Sequence, residues 1–128
     1  MSSVFAKIVR GEIPCYKIYE DEKTLAFLDI APEGEGHTLV VPKIGAKKVY
    51  ELPNEDYQAV MATAKKIAQH YDKVLGKRMM LKVVGIDVPY AHVHILPAEA
   101  EVTREEVKKK ELSEEEFREL QERLKLEA

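Results

Sequence analysis

Pro89-Tyr90-Ala91-His92-Val93-His94-Ile95-Leu96-Pro97 sets two of the chain's four histidines two residues apart, among apolar neighbours and between prolines. In an extended strand, successive side chains point to opposite faces. Tyr90, His92 and His94 therefore share one face, while Ala91, Val93 and Ile95 turn the other way into a core. Such a strand either presents chemistry or holds a metal, and the plainer alternative is a polar face that merely carries histidines.

Working outward, the 128 residues suit one domain with its own core. A net charge of −3 argues against nucleic acid as a partner, since there is no basic excess to displace counterions from a polyanion. A single nucleotide needs only one local phosphate site and stays open. Cys15 is the lone cysteine, so no internal disulfide is expected and a reducing, cytoplasmic setting fits. No signal peptide or membrane-length apolar run is evident, so no membrane partner is expected.

Upstream, Ser3 can cap a short helix with Val4, Phe5 and Ile8 on one face and Gly11 beyond its end. Tyr16–Ile30 reads as a hairpin turning at Glu20–Lys23, Pro32–Gly36 as a loop, and His37–Pro42 as a largely buried strand. Asn54, with Glu55 and Asp56 after it, starts the long core helix, whose apolar positions Tyr57, Val60, Met61, Ala64, Ile67, Ala68 and Tyr71 recur until Gly76. Met79–Gly85 is a strand leading into the histidine stretch. Residues 99–128 turn to Glu, Lys and Arg, with capping boxes at Thr103–Glu106 and Ser113–Glu116 and a narrow stripe of Phe117, Leu120 and Leu124. The expected fold is α+β: residues 1–98 with a mainly antiparallel sheet of about five strands, one short and one long helix, and residues 99–128 as a charged helical extension laid on the domain or a partner.

Three motifs, in this order, resemble the histidine triad family of nucleotide hydrolases and transferases. They are Val4–Pro14 with its Gly11-Glu12-Ile13-Pro14 turn, Ala26-Phe27-Leu28-Asp29-Ile30 followed by Gly36-His37-Thr38-Leu39-Val40-Val41-Pro42-Lys43, and the histidine stretch itself. The resemblance covers about residues 3–97 and implies an HIT-like fold and a role for each matching position. His92 takes the place of the nucleophile that attacks the α-phosphorus and carries the nucleotidyl group, a task that suits a neutral imidazole. Its other ring nitrogen would donate to the backbone carbonyl of the first triad residue, here Tyr90. His94 would contact the phosphate and the leaving-group side, and His37 would stand behind the triad. Asp29 matches the acid that binds both ribose hydroxyls, where a carboxylate can engage a cis-diol with two oxygens. Phe5, Ile8, Phe27 and Ile30 match the walls around a purine base, though each is a core residue first. Gly85 matches a glycine that lets backbone amides reach phosphate.

The chain departs from the family pattern in three places. Tyr90 stands where the first triad histidine would be: if that position supplies mainly a carbonyl, activity survives, and if its imidazole tunes proton transfer, the rate falls. Gly85–Pro89 is a compact loop resembling bacterial variants, with Asp87 where a small hydroxyl residue is usual and a carboxylate expected to turn from phosphate. Ala6 stands where zinc-binding relatives carry cysteine, so no structural metal is expected, and Cys15 reads as a small buried residue.

These residues point to a hydrolase of nucleoside 5′-phosphoramidates or related nucleotidyl compounds, purine-preferring, acting without a metal or other cofactor through a nucleotidyl-histidine intermediate. The resemblance also implies a homodimer with sheets joined across the interface. Two other readings are a nucleotide-binding module made inert by Tyr90, and a metal-dependent enzyme whose His-x-His pair recruits a third ligand from His37, an acid or Cys15.

Overall fold

Strands β1 (Lys17–Glu20), β2 (Thr24–Leu28), β3 (Thr38–Pro42), β4 (Met79–Lys82) and β5 (Val93–Pro97) form one sheet in the order β1-β2-β3-β5-β4, every neighbouring pair antiparallel. The structure is a computed structural model and describes residues 3–84, 89–98 and 111–128. The fold is α+β, as the element pattern implies.

The sheet separates two apolar clusters, and strand parity decides which residue joins which. Ala26, Leu28, Val40, Ala91, Val93 and Ile95 face helix α2 (Asn54–Leu75) and meet its Val60, Ala64, Ile67 and Tyr71. Leu25, Phe27, Leu39, Val41 and Tyr90 face the other way, beneath Phe5 of helix α1 (Val4–Val9). His92 and His94 emerge on this second face. Tyr90, Ala91 and His92 themselves precede the ladder, which begins at Val93.

Both helices start and stop as their ends dictate. Ser3 Oγ accepts the backbone N–H of Ala6 at 3.1 Å and opens α1. Pro53, not Asn54, is the N-cap of α2, and Asn54 is its first helical residue, while Glu55 and Asp56 fill the first turn as expected. Gly76 closes the helix at φ 65°, a left-handed conformation that glycine takes without a Cβ clash.

The buried face of α2 is rotated from the apolar periodicity. Tyr57 is 41% exposed, whereas Asp56 and Thr63 are buried. Polar partners explain the rotation: Lys23 Nζ lies 3.7 Å from Asp56, and the Thr63 and Thr24 hydroxyls bond at 2.8 Å. Ile30 likewise leaves the core and stands 75% exposed.

The Ser113–Glu116 capping box opens helix α3 (Glu114–Leu124), which docks on the body of the domain. Phe117 stacks on Tyr16 at 4.8 Å, Leu124 is fully buried, Gln121 Nε2 donates to Lys17 O at 2.8 Å, and Leu126 N–H donates to Ile18 O at 2.8 Å. Gly85, Asp87 and the Thr103–Glu106 box lie outside the described residues. Among the described residues, no helix is long and apolar enough to cross a membrane.

Candidate active site

One rung of the sheet crosses the site: Phe27 of β2 pairs with Leu39 of β3, Leu39 with His94 of β5, and His94 with Lys82 of β4. Directly opposed residues share a face. All four line a cavity of about 540 Å³ on the α1 side of the sheet, together with His92, Asp29, Phe5 and Ile8. The cavity is apolar toward α1 and carries its imidazoles near the middle.

His92 is buried, its ring edge-on to Phe5 at 5.1 Å and to His94 at 4.9 Å. Its Nδ1 lies 2.7 Å from the Tyr90 carbonyl, which can only accept. Nδ1 therefore carries the hydrogen, and in the neutral ring Nε2 keeps its lone pair.

The same logic runs through His37 and His94. The backbone N–H of Glu33 donates to His37 Nδ1 at 3.1 Å, so His37 must hold its hydrogen on Nε2. That nitrogen lies 2.9 Å from His94 Nδ1 and donates to it. His94 is left with its own hydrogen on Nε2. Burial, then the neighbouring His37, His92 and Lys82, push the His94 pKa down to about 3, which keeps this ring neutral near pH 7. The pair thus offers a lone pair on His92 and an N–H donor on His94.

Asp29 follows β2, and its Oδ1 accepts the Ala31 N–H at 2.8 Å while Oδ2 lies 3.6 Å from His37 Nε2. It caps the loop and still lines the cavity. Exposed Ile30 forms part of the cavity wall with Phe5, Ile8 and Phe27. Tyr90 enters differently: its ring is packed with Phe5, Phe27 and Val41, its hydroxyl donates to Pro42 O at 2.7 Å, and only its carbonyl meets His92. Gly85 lies outside the described residues.

Sequence reasoning did not anticipate Lys82, Glu33, Leu39 or Val84 in the cavity wall. Lys82 interrupts an apolar run, which is a signal, but its face follows only from the register with His94. Cys15 also borders the cavity, and burial raises its thiol pKa, keeping it protonated. For a metal, the structure brings together Asp29, His37 and His94, with ligand atoms within 4.8 Å of one another. This trio omits His92, and the His37–His94 contact already has the length of a hydrogen bond.

Residues 10–101 match the family model described as the HIT domain. Adenosine 5′-monophosphoramidase hnt1 of Schizosaccharomyces pombe is 38% identical over 102 residues, spanning 76% of this chain and 74% of that protein. Among solved structures, a Hit-like protein of Bartonella henselae, described as involved in cell-cycle regulation, superposes with a TM-score of 0.83 at 28% identity, over 96% of this chain and 93% of that one. A hypothetical histidine triad nucleotide-binding protein of Sulfolobus tokodaii gives 0.80 at 26% identity, over 94% and 88%.

Proposed function

The chain belongs to the HIT domain family, and from that premise we propose that it hydrolyses nucleoside 5′-phosphoramidates or related nucleotidyl compounds, with a preference for purines. The observation that carries this reading is the Nδ1–H of His92 held on the Tyr90 carbonyl, which leaves Nε2 as a nucleophile at the cavity.

The base lies against Phe5, Ile8, Phe27 and Ile30, and the ribose hydroxyls reach the free lone pairs of Asp29. His92 Nε2 attacks the α-phosphorus, an N–P bond forms, and the leaving group departs with the electron pair of its own bond to phosphorus, an amine taking a proton from solvent as it leaves. The nucleotidyl-imidazole keeps its Nδ1 hydrogen and is cationic, so water attacking phosphorus expels a neutral imidazole and frees the monophosphate. The Nε2–H of His94 stabilises the phosphoryl oxygens. Tyr90 serves through its carbonyl, and His37 through its grip on His94.

Hydrolysis of adenosine 5′-phosphoramidate by wild type and His92→Ala tests the reading. Turnover by wild type and a loss of at least about 100-fold in the variant are expected. Equal rates would sink the mechanism, and protection by AMP against thermal unfolding without any turnover would establish the inert binding module instead.

A homodimer belongs to the same proposal. β4 is the last strand in the sheet order, and Leu81, Val83 and Val84 at and beyond it are exposed. Among the described residues nothing pairs with the outer edge of β4, and an apolar edge of this kind invites a second strand. Light scattering of wild type should give twice the chain mass, and Leu81→Lys/Val83→Lys should give one.

A further inference from the structure

His37 precedes the first residue of β3, Thr38, and its imidazole reaches His94 on the cavity side of the sheet. Thr38 turns the other way. It opposes Leu28 and Ile95, residues of the α2-facing core, and is fully buried with them. Its hydroxyl has two partners there, the Gly36 carbonyl at 2.8 Å and the Tyr71 hydroxyl at 2.7 Å. A carbonyl can only accept, so the single hydrogen of Thr38 goes to Gly36 O, and Tyr71 donates to Thr38 Oγ1. Burial raises the pKa of Tyr71, so the phenol keeps the hydrogen it donates.

We propose that the hydroxyls of Tyr71 and Thr38 form a positioning relay for the reaction: from the α2 side of the sheet they fix the turn that sets which nitrogen of His94 carries its hydrogen. The kinetic consequence rests on the reading of His92 as the nucleophile; the placement of the hydrogen does not.

The relay acts on the peptide group between Gly36 and His37. The carbonyl of that group is held by Thr38 Oγ1 and its N–H donates to Gly34 O at 3.2 Å, so both ends of one plane are tied. Gly36 stands at φ 80°, and it has no side chain to restrain rotation of the plane. Tyr71 is close here as well, its Cε2 3.7 Å from the position a Gly36 Cβ would take. Without the Thr38 hydroxyl, the buried carbonyl is left unpartnered, which is costly, and the plane turns toward another donor. That turn draws the His37 N–H off Gly34 O. The segment from Glu33 to Gly36 then opens, and the Glu33 N–H leaves His37 Nδ1. His37 is free to place its hydrogen on either nitrogen, and His94 Nδ1 no longer meets a fixed donor.

Nitrogen–proton correlation NMR of the full chain without nucleotide reads the hydrogen directly, and kcat and KM on adenosine 5′-phosphoramidate read its consequence. Thr38→Val keeps the shape of the side chain and removes the hydroxyl. It should move the His37 and His94 nitrogen shifts toward mixed tautomers and lower kcat about 3- to 10-fold, the scale of one buried hydrogen bond, with KM changed less than about twofold. Tyr71→Phe should act in the same direction and more weakly, since Thr38 keeps its own bond to Gly36 O. Thr38→Ser discards the buried methyl and keeps the hydroxyl, so it should lose stability in denaturant unfolding yet retain the wild-type tautomers and kcat within about threefold. Wild-type nitrogen shifts in folded Thr38→Val overturn the proposal, and should that variant fail to fold, wild-type shifts in Tyr71→Phe overturn it equally. Equal effects of Thr38→Ser and Thr38→Val overturn it too, by making the methyl and its packing the cause. A wild-type chain inert on the phosphoramidate, with tautomers that still mix in Thr38→Val, would remove the nucleophile reading and sustain the relay.

Discussion

His37 donates from Nε2 to Nδ1 of His94 across 2.9 Å, although 57 positions separate them in the chain. The Glu33 N–H on the far side of His37 fixes the direction of that bond, so a main-chain amide at the Pro32–Gly36 loop determines which nitrogen of His94 faces the cavity. Nitrogen–proton correlation NMR should find hydrogens on Nε2 of His37 and His94 and on Nδ1 of His92. A hydrogen on Nδ1 of His94 would contradict the chain of donors.

The pH dependence of that ring follows. Its folded pKa, about 3, lies below the ordinary 6.5 because burial disfavours the cation. The unfolded chain binds this proton first as pH falls, so the contribution of neutral His94 to stability is complete above pH 6.5 and is lost progressively toward pH 3. Denaturant unfolding should show midpoints declining through that window, and His94→Gln should flatten the decline.

Replacing His37 with phenylalanine keeps the buried volume and removes the donor. His94 then loses its fixed tautomer, and kcat is expected to fall about 10- to 100-fold, the scale for partners that orient a working imidazole. KM for a nucleotide substrate should change far less, because the apolar walls and Asp29 stay in place.

Tyr90→Phe separates the two things that Tyr90 does. It removes the hydroxyl bond to Pro42 O and leaves the carbonyl that holds His92. Stability should drop by about 1 kcal/mol, and kcat should stay within about threefold. A collapse of kcat in a folded Tyr90→Phe protein would show that the side chain itself takes part.

Leu124→Ala removes a fully buried side chain from the main core and should cost about 3 kcal/mol in denaturant unfolding. Gly36 stands at φ 80°, and a Cβ there would lie 3.2 Å from both Leu124 Cδ1 and Leu75 Cδ1. Gly36→Ala should therefore be destabilising alone, with part of the loss recovered beside Leu124→Ala.

How much of this was legible depended on what each residue's position rests on. The alternation around His92 needs only strand parity, so Val93 and Ile95 were placed in the core and the imidazoles on the open face from the sequence. The hairpin, the long helix and the Ser113–Glu116 box follow equally local rules. The face of α2 did not, because Asp56 and Thr63 are buried through polar partners on β2 and the turn before it, which apolar periodicity cannot register. The exposure of Ile30 depends on where the chain leaves β2. Lys82 needed the β4–β5 register, and the hold of Glu33 on His37 is a main-chain contact with no side-chain signature.

The docking of α3 also orders the folding of the molecule. Gln121 meets Lys17 across a sequence separation of 104 residues, so this contact closes a long loop and gains nothing until β1 is already in the sheet. It is also the element most readily released from the finished protein: α3 is 11 residues long, and only Phe117 and Leu124 of it are buried. Its release would take Leu124 away from Gly36 and out of the cluster that holds Tyr71, whose hydroxyl shares a 2.7 Å hydrogen bond with Thr38 next to His37. Amide exchange at Phe117–Leu124 should then proceed through an opening smaller than global unfolding, and the loop carrying Glu33 should exchange with it.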